Sequence, residues 1–231
     1  MRTITTVEMN PDSREEYLPG YTPQFPHIAS HIDGRLYQSD VAPWHWHESV
    51  ELFYVRRGSI LYRTPHAEHV VHAGCGGMVN SHILHTTKIL DPSLDMALHL
   101  FSPSLVAGVA GGTVEQRYIR PLTADAGHEL ILLTPDDPAQ TETLRRIDES
   151  LRLDEAAFGH EMRLQAMLTD IWLRLVEQVC PPEHAVPRNA ADEKIKRMMV
   201  YIHTHYAERI TAPQIAAAGY CSERECYRTF Q

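Results

Sequence analysis

The stretch Trp44-His45-Trp46-His47-Glu48-Ser49-Val50-Glu51 decides how the first part of this chain is read. On an extended strand side-chain direction alternates with period two, so His45 and His47 point to one face. Glu51 follows past a bend and can bring a carboxylate to the same place, and His85 supplies a third imidazole if its strand lies opposite. Three neutral imidazoles and a carboxylate form a donor set for divalent zinc, iron, manganese, nickel or copper, with positions left for water or ligand. The same residues have uses without a metal. His45 and His47 can hydrogen-bond a small ligand, and Glu51 can balance a buried arginine or histidine. Trp44 and Trp46 face the other way on a regular strand, where packing is their default; alternatively, both help close a ligand entrance with Tyr21, Phe25 and His27.

Outward from this stretch, short runs rich in Val, Ile, Leu, Tyr and Phe recur between glycines and histidines, the pattern of an all-β sandwich or barrel. The expected strands are Val50–Val55, Ser59–Arg63, His69–His72, Gly77–Asn80 and Asp95–Phe101, with turns at Arg57-Gly58 and Ala73-Gly74. The chain up to about Asp33 reads as an arm with little regular structure. Ten of the fifteen histidines lie between His27 and His99, so imidazole chemistry belongs to this region; His66, His69 and His72 are assigned to turns or a solvated strand face. Beyond it the period changes to about 3.6. Leu164, Met167, Leu168, Ile171, Trp172, Leu175, Val176 and Val179 form one apolar stripe of a helix over about Phe158 to Val179, and Leu144, Ile147, Leu151 and Leu153 mark a shorter helix before it.

The spacing around the histidines is more specific than their number. His45-x-His47, three residues, Glu51, six residues and Gly58 resembles the first motif of the cupin superfamily, and Gly77-Met78-Val79-Asn80-Ser81-His82-Ile83-Leu84-His85 resembles the second. That resemblance implies a jelly-roll barrel. The resulting expectation is a mainly β cupin-like jelly-roll barrel with its arm over residues 1–135, followed by α-helices at 136–180 for linkage or dimerisation.

The chain has 231 residues, 43% hydrophobic and 22% charged, ordinary globular usage that excludes wholesale disorder and repeat architectures. No apolar run approaches the roughly 18 residues of a membrane span, and no apolar signal segment follows Met1. The four cysteines, Cys75, Cys180, Cys221 and Cys226, have no paired metal-ligand spacing, which points to a reducing cytoplasm. The formal charge of -9 disfavours a nucleic-acid partner until it is divided. Residues 1–190 hold 15 Lys/Arg against 25 Asp/Glu, net -10, and residues 191–231 hold 6 against 5, net +1. The parts meet in a proline-rich linker, residues 181–190.

Past the linker, Ile195, Met198, Met199, Ile202 and His203 define a helical face over Asp192–Tyr206. Thr211 with Gln214, and Ser222 with Glu225, stand in the capping-box relation, and Gly219 supplies a stop between two short helices. Ile215, Tyr220, Cys226 and Phe230 are expected to form their small core. This is helix-turn-helix syntax, in which the second helix enters a major groove with Ser222, Arg224, Tyr227 and Arg228 toward DNA.

With both halves read, the chain resembles the AraC/XylS family of bacterial transcription regulators, in the subgroup with an N-terminal cupin-like sensing domain. The resemblance lies in Trp44-His45-Trp46-His47 through Glu51 and Gly58, in Phe101-Ser102-Pro103-Ser104-Leu105, in Gln116-Arg117-Tyr118-Ile119-Arg120-Pro121-Leu122, and in Ile215-Ala216, Gly219-Tyr220, Ser222, Arg228 and Phe230. It implies a non-enzymatic regulator that senses a small-molecule effector, forms a homodimer and binds promoter DNA. It also implies a second helix-turn-helix beyond Gln231, so residues 191–231 read as a partial all-α DNA-binding domain with weakened DNA binding. The competing expectation is a ligand- or metal-binding cupin, or a metalloenzyme, whose helical tail serves packing or a partner.

Overall fold

The computed structural model describes residues 1–124, 128–179, 198, 201, 202, 205 and 209–230. The chain divides into two compact units, Met1–Cys180 and Pro181–Gln231. Among the described residues the first unit has ten strands: β1 Arg2–Thr3, β2 His27–Asp33, β3 Val41–His45, β4 Val50–Arg57, β5 Ser59–Arg63, β6 Glu68–His72, β7 Gly76–Val79, β8 His85–Ile89, β9 Asp95–Phe101 and β10 Leu130–Leu133. Its helices are α1 Ser104–Ala107, a π turn at Glu115–Ile119, α2 Arg120–Thr123, α3 Pro138–Ser150 and α4 His160–Val179.

The strands form a six-stranded sheet in the order β1-β2-β9-β4-β7-β10 and a four-stranded sheet in the order β3-β8-β5-β6. This corrects the expected cupin-like jelly-roll barrel: both sheets are open. Each ends on strands paired on one side only, and among the described residues no ladder joins one sheet to the other. The two-residue β1 and the late-arriving β10 terminate the larger sheet instead of crossing to the smaller one.

The reason lies in which faces are covered. Phe53, Val55, Val79, Met96, Leu98 and Leu100 of the larger sheet pack with Ile60, Tyr62 and Val71 of the smaller. The opposite face of the larger sheet is not solvent-facing either. Val50, Leu52, Met78, Ala97 and Phe101 pack under Leu144 and Ile147 of α3 and Leu164, Leu168, Ile171 and Trp172 of α4. Burial on both faces explains why β4 reads as a nearly continuous apolar run instead of an alternating one. Tying the layers together, the Trp172 indole donates to the Tyr118 carbonyl at 2.8 Å and its ring meets Phe101 edge-on.

Local signals are met where they were strongest. Asp137 caps α3 by accepting from the Ala139 amide at 2.9 Å, with Pro138 in the first turn. Gly58 turns β4 into β5 at φ +77, and a Cβ there would come within 2.8 Å of the Leu94 Cα. Two expectations shift. The stretch before Asp33 is not plain arm, since it supplies β1 and all of β2, and Phe158 is fully exposed ahead of α4.

In the second unit the described helices are α5 Ala212–Ala218 and α6 Glu223–Thr229. The Thr211 amide and hydroxyl both donate to Gln214 Oε1 at 2.9 Å, and Ser222 Oγ accepts from the Glu225 amide at 3.2 Å. The core there is Met198, Ala216 and Cys226, with Ile215 and Cys221 beside it. Tyr220 and Phe230, expected in it, are exposed, and it is Tyr220, not Gly219, that takes the left-handed backbone at φ 51. The linker 181–190 and most of Asp192–Tyr206 lie outside the described residues.

Candidate functional site

β3 pairs antiparallel with β8, placing His45 directly opposite His85. His47 lies just past the end of β3, beyond an irregularity between Ala42 and His45, and all three imidazoles are buried. Their ligand nitrogens lie within 4.8 Å of one another. Each ring is held from behind by the backbone: His45 Nδ1 bonds the Pro43 carbonyl at 2.8 Å, His47 Nδ1 that of Ser49 at 2.8 Å, and His85 Nδ1 that of Ile83 at 2.9 Å. A carbonyl only accepts, so every Nδ1 carries the hydrogen, and a neutral ring then presents a bare Nε2 lone pair. The Nε2 atoms of His47 and His85 are buried without any hydrogen-bond partner.

Glu51 faces them. Its Oε2 is 3.8 Å from His47 Nε2 and 3.8 Å from His85 Nε2, while its Oε1 accepts from the Tyr62 hydroxyl at 2.7 Å. Tyr62 is itself fixed by a stack on Phe53, centroids 4.5 Å apart at 14°. Distances of 3.8 Å are too long for hydrogen bonds. They suit donors around a shared ion, since two donors each about 2.1 Å from a metal are at most about 4.2 Å apart. Burial disfavours the Glu51 carboxylate, but His47 and His85 as charge partners more than offset it and hold the group below the usual carboxylate range. The arrangement calls for positive charge between Oε2 and the nitrogens, from protons or from a cation. Burial, followed by the charge of His85, lowers His45 to about 3, which keeps it a neutral donor. The cluster of His45, His47 and His85 can therefore coordinate a divalent metal, with Glu51 as the adjacent carboxylate and Tyr62 setting its orientation.

Glu16 also enters the site, its Oε2 3.9 Å from His45 Nε2. Burial raises its pKa to about 8, reinforced by Glu51 and opposed by His85. Glu16 and Tyr62 were both absent from the sequence-derived site. Tyr62 had a signal, because the period-two pattern of Ser59–Arg63 points Ile60 and Tyr62 inward. Glu16 had none, since it arrives through the folding-back of the arm.

A cavity of about 320 Å³ adjoins the site. It runs along the edge of β2, which β1 covers only at Ser30 and His31. Ile4, Leu18, Phe25 and Leu100 give it apolar walls, and Glu16, His27 and His160 give it polar ones. His27 is the end of a directed chain. Ser150 Oγ donates to the Ile147 carbonyl at 2.8 Å and so accepts from His99 Nε2 at 3.0 Å, leaving His99 Nδ1 to accept from His27 Nε2 at 2.8 Å. Burial, then neighbouring positive charge, lowers His27 to about 4 and His99 well below its ordinary value. Of the residues expected at a ligand entrance, Phe25 and His27 line the cavity, whereas Trp46 and Tyr21 do not. Trp46 is instead bonded to the arm through its indole, 2.8 Å from the Ser13 carbonyl, and lies against His82.

In the second unit Ser222, Arg224, Tyr227 and Arg228 border one groove along α6. All four are exposed, and the Ser222 hydroxyl is engaged as the helix cap. Their arrangement is that of a helix offering two guanidinium groups and a phenol from one surface.

The first unit is thus an open β unit with a buried donor cluster, a neighbouring cavity and covering helices. Residues 27–171 match the AraC-like ligand binding domain family, and the chain belongs to it. It is 26% identical over 191 residues to the uncharacterized HTH-type transcriptional regulator YdeC of Bacillus subtilis (strain 168), covering 82% of this chain. The chain spans 65% of the length of that relative. Looser structural likenesses include ToxT from Vibrio cholerae, at 7% identity and TM-score 0.46 over 88% of this chain and 73% of that one. The AraC-like transcriptional activator CuxR follows at 16% identity and TM-score 0.42, over 79% and 60%. Among the described residues no helix is long and apolar enough to cross a membrane.

Proposed function

We propose that this chain is the sensing part, with the first DNA-reading helices, of an AraC-type transcription regulator that responds to a divalent transition metal or a small-molecule effector. The observation that carries the sensing half is the trio of buried imidazoles with their Nδ1 atoms anchored and two orphaned Nε2 atoms facing a buried carboxylate. In this reading His45, His47 and His85 hold the metal with Glu51. Its contribution is positive charge and a cross-link between β3 and β8; the effector occupies the cavity beside His27. Residues 1–135 sense, 136–180 dimerise, 181–190 link and 191–231 meet promoter DNA, all in the cytoplasm.

Homodimerisation is assigned to the outer side of α4, where Met162 and Leu173 stay exposed while the opposite stripe is buried. On α6, Arg224 and Arg228 contact phosphate or guanine, and Tyr227 adds a further donor.

Two measurements test this. Metal analysis of the purified protein should find stoichiometric divalent metal that His47→Ala and Glu51→Ala lose; equal trace occupancy in all three proteins sinks the metal site. Mobility shifts at fixed salt on the chain's own promoter region should show binding that Arg224→Ala and Arg228→Ala reduce. Unchanged binding by both variants removes α6 as the reader.

A further inference from the structure

We infer that Glu16 is an additional ligand to the cation held by the histidine cluster, so that filling the site fastens the N-terminal arm over it. The inference rests on the metal reading of His45, His47 and His85, and adds to it a residue from outside both histidine motifs.

The arm folds on itself and then onto the strand end that carries His45. Met9 bridges Glu16, and the Tyr17 amide donates to the Glu8 carbonyl at 2.8 Å. Glu15 bridges Trp46 in parallel, the Glu16 amide donates to the Trp46 carbonyl at 2.9 Å, and the Trp46 amide donates to the Arg14 carbonyl at 3.1 Å. The Trp46 indole adds its bond to Ser13. These contacts hold the backbone on both sides of Glu16 next to the site, and its side chain then extends inward with only 10% of its surface exposed.

Among the described residues nothing donates a hydrogen bond to the Glu16 carboxylate. Inside the site its Oε2 stands 3.9 Å from the Nε2 of His45. That separation matches the 3.8 Å between Glu51 and the other two imidazoles, so all three Nε2 atoms stand at one donor–donor spacing from a carboxylate. Once Glu16 is ionised, two carboxylates and three neutral imidazoles carry two negative charges, which one divalent cation neutralises in a buried site. Glu16 also lines the neighbouring cavity together with Glu8, Tyr17 and Leu18. A cation that captures Glu16 therefore fixes one wall of the effector cavity.

The test uses the whole chain with Zn2+ alone. Zn2+ affinity is measured by competition with a chromophoric chelator, and the arm is followed by limited proteolysis within residues 8–17, with and without Zn2+. The wild-type protein should bind Zn2+ and become protected in the arm. Glu16→Gln, which keeps the shape of the side chain, should bind Zn2+ about tenfold or more weakly, with arm cleavage indifferent to Zn2+. His47→Ala should lose tight binding altogether. Thermal unfolding in EDTA should be the same for Glu16→Gln and wild type, showing that the variant folds. Wild-type Zn2+ affinity with arm protection intact in Glu16→Gln would overturn the role of Glu16 while leaving the histidine site standing. No Zn2+ binding by the wild-type protein would bring down both.

Discussion

Tyr62→Phe removes one oxygen atom from the centre of the molecule and tests whether Glu51 is held as the site requires. The phenol is completely buried and donates to Glu51 Oε1 at 2.7 Å. Burial and the adjacent Glu51 hold its pKa well above the ordinary tyrosine value, so it remains a donor at any working pH. The variant keeps the ring, and with it the stack on Phe53. What is lost is one hydrogen bond to a carboxylate, about 1.5–3 kcal/mol. With a urea dependence of about 2 kcal/mol per molar, that loss moves the unfolding midpoint down by about 1 M in metal-free buffer. Metal affinity should fall as well, by about 10- to 100-fold, because an outer-shell partner orients the ligating carboxylate. Urea titration followed by tryptophan fluorescence reads the first effect, and chelator competition reads the second. A variant within about 0.5 kcal/mol of wild type that also retains full metal affinity would refute the reasoning, since Glu51 would then need no fixed orientation.

Other perturbations address other parts of the structure. His27 is lowered to about 4 against an ordinary 6.5, so the unfolded chain takes up its proton first. The stability His27 contributes is complete above about pH 6.5 and falls as pH drops toward 4, by about 2 kcal/mol between pH 7 and pH 5 from this residue alone. Unfolding free energies at the two pH values should show at least that loss and a shallower dependence in His27→Gln; a flat profile in the wild-type protein would contradict it. Leu168→Ala, at a fully buried position of the α4 stripe, should cost about 2–5 kcal/mol, measured by chemical denaturation. Adding saturating metal, at about 100 times its dissociation constant, should raise stability by about 2.7 kcal/mol in wild type and leave His47→Ala unmoved. Leu173→Glu should shift the protein to monomer in sedimentation if α4 forms the dimer contact, and leave its oligomeric state untouched otherwise.

Much of the local structure was legible from pattern. The strands Ser59–Arg63 and Asp95–Phe101 and the α4 stripe were readable because alternation and 3.6-residue periodicity are local consequences of which side chains are buried. The caps at Thr211 and Ser222 act within three residues and were equally readable. Tyr220 and Phe230 were misassigned to the small core because both lie just past the ends of α5 and α6, where helical periodicity no longer sets the direction of a side chain.

The candidate site divides along the same line. The sequence by itself offered His45, His47, Glu51 and His85 as donors through residue type and spacing; only the tertiary structure brings them together, with His45 and His85 on paired strands of the smaller sheet, His47 just past β3 and Glu51 on β4 of the larger sheet. Only the tertiary structure decided that the two sheets stay open, because closure depends on which distant strands exchange hydrogen bonds, and β1 and β10 end the larger sheet. It alone brought in Glu16, carried to Trp46 across some thirty residues of chain by backbone bonds that no local pattern encodes. It also decided which atom of each ring looks inward, because three backbone carbonyls claim the Nδ1 hydrogens and leave the Nε2 atoms facing one another.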